Sequence, residues 1–226
     1  MSPRSGEPLA IVVGAGPRIG RAVAERFGRE GFRLALVARR GDRLRRVTTA
    51  LGRAGVTAVA AEADAGDPKS LRACLEELIE EHGDPQVLIY NAAASPAGRP
   101  STMDLGLLND SLCVNLGGVL AAAQTVLPTM REHGRGTIIA TGAGVALDPR
   151  PEETATAVGK AAARALLLAL AKEVEFDGVH VAVVTVLGSV APGTAFNPGS
   201  IADAFWTLHV EPSGAWRSEV LFSGRP

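Results

Sequence analysis

Two cysteines, a single tyrosine and no surplus of basic charge narrow what this chain of 226 residues can be. Cys74 and Cys113 have no metal-ligand spacing, and both fall in helical patterns where a small buried thiol is the expected role. No metal site is expected, and sparse cysteine fits a reducing, cytoplasmic setting. A formal net charge of −1 argues against a nucleic-acid or anionic-membrane surface, which needs a basic excess. The opening MSPRSGEP lacks the apolar core of a signal peptide, no run reaches membrane-spanning length, and no internal repeat appears. With no linker or composition break either, residues 8–226 are expected to form one domain behind a flexible segment at 1–7.

What the chain does contain is a dense pattern between residues 8 and 40. Leu9 to Val13 is short, apolar and β-branched, as suits a strand buried on both faces. It opens into Gly14-Ala15-Gly16-Pro17-Arg18-Ile19-Gly20, after which Ile19, Val23 and Phe27 fall at helical spacing. A helix beginning inside glycines aims unpaired backbone N–H groups and a positive dipole end at one point, where a pyrophosphate can sit. The second strand, ending at Val37, leads into Ala38-Arg39-Arg40. An acidic residue there would bind the ribose hydroxyls of NAD; Arg39, helped by Arg40, instead suits the 2′-phosphate of NADP(H), which a guanidinium grips through two bonds. The competing reading is a solvated basic helix start, since Arg43, Arg45 and Arg46 follow.

Further on, strands are expected at 56–60, 86–90, 136–141, 179–186 and 218–222. Helices are expected at 42–53, 67–82, 104–132 with a break near Asn109, 153–177 and 199–209. This alternation predicts an α/β fold, a doubly wound seven-stranded parallel sheet with helices on both faces and its ligand at the carboxyl ends of the strands.

Those strand ends carry a family pattern. Over essentially its full length the chain resembles the short-chain dehydrogenase/reductase family, which implies a Rossmann-like fold. The matching pieces are the GAGPRIG turn, Asp64, Asn91-Ala92-Ala93, Asn115 and Lys160. The resemblance implies that Gly14, Gly16, Arg18, Ile19 and Gly20 surround the pyrophosphate and that Asp64 bonds the adenine. It also implies that Asn91 steadies the central strand, Asn115 holds a water and Lys160 bonds the nicotinamide ribose. The plainer readings are a helix-entry cap for Asp64 and a surface lysine for Lys160.

Departures from the family are as informative. Its tyrosine, four residues before the lysine, is Thr156 here, and its serine, thirteen residues earlier again, is Ala143. Both hydroxyls of the proton relay are thus missing, and an aliphatic alcohol is far too weak an acid to replace a phenol. Tyr90, the chain's only tyrosine, is the sole candidate substitute, with packing as its alternative role. Arg18 stands where the family usually has glycine, either loosening the backbone approach or adding a phosphate contact. Only about ten residues separate Leu187-Gly188 from the next helix, so the cover over the pocket is short; Arg99 and Arg150 are candidate holders of an anionic substrate.

The run AAARALLLALA (161–171) is apolar around most of its circumference, and the helix at 109–132 is similar. Together they predict a homodimer or homotetramer packed through these helices, with Leu167 as the residue to probe; the alternative is a face covered by the chain's own terminal segment. Three functions remain open: an NADP(H)-dependent oxidoreductase acting on an activated small molecule, an NADP(H)-binding protein without turnover, and a non-redox cyclase, isomerase or dehydratase.

Overall fold

The computed structural model describes residues 7–224. The segment expected to be flexible, 1–7, lies outside the described residues except for Glu7. Seven strands, β1 (Leu9–Val13), β2 (Arg33–Ala38), β3 (Ala58–Glu62), β4 (Pro85–Tyr90), β5 (Gly136–Ala143), β6 (Val179–Val186) and β7 (Glu219–Phe222), form one sheet in the order β3-β2-β1-β4-β5-β6-β7. Every pairing is parallel. Strand residues alternate between two cores: Leu9, Ile11 and Val13 face one side, and Ala10 and Val12 the other. The first side is covered by α3 (Pro68–His82), α5 (Gly118–Glu132) and α6 (Thr154–Val174), the second by α1 (Ile19–Arg29), α2 (Gly41–Arg53) and α7 (Pro198–His209). The order reverses between β1 and β4, so the connections leaving these two strands diverge and open a crevice at their carboxyl ends.

Local chemistry sets the helix starts. Asp67 accepts hydrogen bonds from the Lys69 and Ser70 amides, with Pro68 opening α3. Asp104 caps α4 (Leu105–Leu112) through the Leu107 amide, and Asn197 caps α7 through Gly199. β3 begins two residues later than expected, because the Val56 amide is used to close the end of α2 on Leu51 and pairing with β2 starts at Ala58. The break expected near Asn109 is instead a π-turn at Cys113–Gly117 between α4 and α5. Cys113 is exposed there and Cys74 half-buried, so neither is the buried thiol expected.

Two further expectations are corrected. The stretches Leu105–Glu132 and Thr154–Asp177 are long and apolar enough to span a membrane, although each lays a row of buried residues on the sheet. Leu167 is one of these, 1% exposed against the sheet, so it probes the core rather than a partner.

At the opposite end of the sheet from the crevice, the half-buried His209 ring lies against Phe27 and Phe32, with Nδ1 3.0 Å from the Thr137 hydroxyl. Burial, then the neighbouring His180, pushes its pKa from 6.5 down to about 4. The unfolded chain therefore binds a proton that the folded chain refuses, and this stability is complete above pH 6.5 and drains away as pH falls toward 4. Urea unfolding should show about 1–2 kcal/mol lost between pH 6.5 and 5, allowing for partial exposure of the ring. In His209→Gln that slope should flatten; an unchanged slope would assign the loss elsewhere.

Candidate active site

The glycine turn is shaped by what its glycines touch. Gly14 has φ +86°, and a Cβ there would stand 2.3 Å from the Ala92 amide nitrogen. A Cβ at Gly20 would meet the Gly14 carbonyl oxygen at 2.4 Å, whereas one at Gly16 would touch nothing closer than that same oxygen, at 3.9 Å. The turn is thus packed from below and approachable from above, with α1 starting at Ile19.

A line of hydrogen bonds ties the strand ends together. Lys160 Nζ donates to the Thr141 carbonyl (2.8 Å), Thr141 Oγ1 to Asn91 Oδ1 (2.8 Å), and Asn91 Nδ2 to the Gly14 carbonyl (2.8 Å). The carboxyl ends of β5, β4 and β1 and the second turn of α6 are therefore held in one register. Thr141 carries no sequence signal of its own; only its position at the end of β5 marks it. Burial lowers the Lys160 pKa from 10.5 to about 8.

These groups line a cleft of about 520 Å³ at the crevice. The strand order puts Arg39, Arg40, Arg43 and Asp64, which follow β2 and β3, on one side, and Ala143, Thr156, Lys160, Gly188 and Val190, from β5, α6 and the segment after β6, on the other, with Arg18 in the turn after β1 between them. Arg39 and Arg40 precede α2 with exposed side chains, Arg39 lying 3.9 Å from Asp64 and Arg40 3.5 Å from Asp42. Asp64 accepts from the Gly66 amide at 2.8 Å and does not cap a helix; Asp67 does. Thr156 and Ala143 both face the cleft.

Other expected site residues lie elsewhere. Tyr90, 1% exposed, does not reach the cleft: its hydroxyl donates to the Val114 carbonyl at 2.5 Å and thereby holds the π-turn. Burial, then the charge of Asp64, pushes its pKa above the usual phenol value, so it is no substitute acid. Asn115 is also buried beneath the cleft. Its Nδ2 donates to the Ala94 carbonyl (2.8 Å) and to Ser111 Oγ (3.0 Å), leaving Oδ1 without a protein donor. Ser111, which the sequence did not mark, bonds the Ala94 and Ala155 carbonyls and so joins the loop after β4 to α6. Arg99 and Arg150 are not among the residues lining the cleft and pair with Glu152 and Glu153. The short connection at 187–197 is braced by Phe196, whose ring packs on Gly188 and, edge-on, on Phe222.

Comparison with known proteins agrees with this geometry. Residues 8–197 match the family model for short chain dehydrogenase. The chain is 29% identical over 182 residues to a glycine betaine reductase of Emericella nidulans, matching 80% of this chain but 14% of that protein. It is 30% identical over 196 residues to a short chain dehydrogenase of Pseudocercospora fijiensis, 85% of this chain and 59% of the relative. The chain thus spans only part of these curated relatives. Among solved structures, a metagenomic short-chain oxidoreductase in complex with NADP superposes with a TM-score of 0.87 at 29% identity, covering 95% of each chain.

Proposed function

Because the chain belongs to the short-chain dehydrogenase family, we propose that it is an NADP(H)-dependent oxidoreductase acting, without a tyrosine acid, on a small molecule already activated toward hydride addition, such as a conjugated enone or an iminium ion. The observation that carries this reading is the asymmetry of the cleft, which keeps the cofactor groups and lacks the acid. The uncrowded turn at Gly16 suits a pyrophosphate at the start of α1, and Arg39 and Arg40, with Arg43 lining the same cleft, suit a 2′-phosphate. Asp64 would bond the adenine and Lys160 the nicotinamide ribose. NADPH, when bound, supplies a hydride.

At the reacting end, Ala143 has no hydroxyl and Thr156 has only an aliphatic one. An unactivated ketone becomes an alkoxide on hydride addition and needs a proton at once, and a positioned acid is worth about 10²–10⁴-fold for that step. An enone or iminium ion avoids this requirement, because its product charge is delocalised or cancelled. The test follows NADPH oxidation with enones and cyclic imines while NADPH binding is measured separately. Turnover that survives in Thr156→Val is expected; tight NADPH binding with silence on every compound would make the chain a binding protein instead.

The same family reading makes the chain a homodimer or homotetramer, joined through the outward faces of α4–α5 and α6, where Leu105, Leu107, Leu120 and Val158 are exposed. Light scattering at micromolar concentration should find an oligomer, and a monomer would exclude it.

A further inference from the structure

We propose that Lys160 is the electrostatic partner of an anionic oxygen on the bound small molecule, an enolate or phenolate lodged in the space left between Ala143 and Thr156. The inference rests on the oxidoreductase reading above and deepens it by naming the substrate class. Its first support is the charge layout of the cleft. Arg39, Arg40 and Arg43 line the cleft with Asp64 on the β2–β3 side of the sheet, where the cofactor phosphates would answer them, and Lys160 lines it on the far side, beside β5. Among the described residues Lys160 has no acidic partner. The elements around it, β5 at Thr141–Ala143, the π-turn at Val114 and the connection at Gly188, bring no charged group to it, and Tyr90 beneath is turned away onto Val114. A buried cation without a counter-charge is costly, and an anionic ligand removes that cost.

The second support is the hydrogen-bond capacity of the ammonium. It has three N–H donors, and one goes to the Thr141 carbonyl. One of the remaining two can serve the ribose, leaving one for a ligand oxygen. The third is the position of Thr156, one helical turn before Lys160 on the same face of α6 and lining the same cleft. A short side chain there leaves the approach to Lys160 unblocked by a phenol ring. In enone reduction, hydride adds to the β-carbon, the C=C pair shifts to form the enolate, and the oxygen holds the charge until solvent protonates the α-carbon. Lys160 would stabilise that oxygen without giving up a proton.

The experiment titrates 4-nitrophenol into NADP⁺-loaded protein and follows the phenolate absorbance against pH, with NADP⁺ binding measured separately. The wild type should bind the phenolate and pull its ionisation down by about 1–3 pH units, and Lys160→Met should abolish most of that shift. Thr156→Tyr, which keeps Lys160 but refills the space, should weaken phenolate binding at least about tenfold by steric exclusion. Phenolate binding that ignores either substitution, or no binding to NADP⁺-loaded wild type, would overturn the role of Lys160. Failure of the wild type to bind NADP⁺ would instead overturn the oxidoreductase reading on which it rests.

Discussion

Placing a serine and a tyrosine at positions 143 and 156 should create ketone reductase activity. In the double variant Ala143→Ser, Thr156→Tyr, NADPH-dependent reduction of a simple ketone is expected to rise by about 10²–10⁴-fold over wild type, the usual worth of a positioned acid. Position 143 is the last residue of β5 and position 156 lies one turn before Lys160, and both line the cleft. A phenol beside the Lys160 ammonium would have its pKa lowered, which is the condition for donating a proton near neutral pH. Ala143→Ser alone should gain little, because groups that act as a unit do not contribute additively. Initial rates with a simple ketone for the wild type and the two variants, with NADPH affinity as the control, decide the matter. A double variant that binds NADPH normally and gains nothing would show that this cleft needs more than two hydroxyls to reduce a ketone.

Cofactor choice should depend on Arg39. Losing one charge-assisted contact to a phosphate costs about 1.5–3 kcal/mol, so Arg39→Ala should weaken NADPH by roughly 10- to 150-fold and leave NADH nearly unchanged. Arg40→Ala should have a smaller effect of the same sign. Titrating both cofactors into wild type and variant by calorimetry checks this. Equal affinity of the wild type for NADPH and NADH would remove the arginines from the cofactor site and return them to a solvated helix start.

The strands and helices were legible in the sequence because each strand is a short apolar run between helical patterns, and such alternation leaves few topologies open. The glycine turn and the arginines after β2 were legible because they are contiguous. The parts that were not legible depend on contacts between distant segments. Nothing in Cys113 to Gly117 announces a π-turn; it follows from Tyr90 holding the Val114 carbonyl and from Gly118 packing where a Cβ would stand 2.2 Å from that phenol oxygen. The same contact turns Tyr90 away from the cleft, a direction that a strand-end tyrosine does not reveal by itself. Arg99 reads as a free loop cation until the fold brings Glu152 beside it. Thr141 and Ser111 matter only because strand and helix register carry them to Asn91, Lys160 and Asn115.

The most direct measurement is the ratio of kcat/KM for cyclohexenone to that for cyclohexanone, with NADPH and the wild-type protein. The two rings present the same carbonyl, and only the enone yields a delocalised anion on hydride addition. A cleft that retains Lys160 but has no acid at 143 or 156 should favour the enone by about 10²-fold or more, reflecting the missing acid step. Comparable rates on both, with cyclohexanone reduction lost in Thr156→Val, would show that Thr156 supplies the proton and that the site is not acid-free.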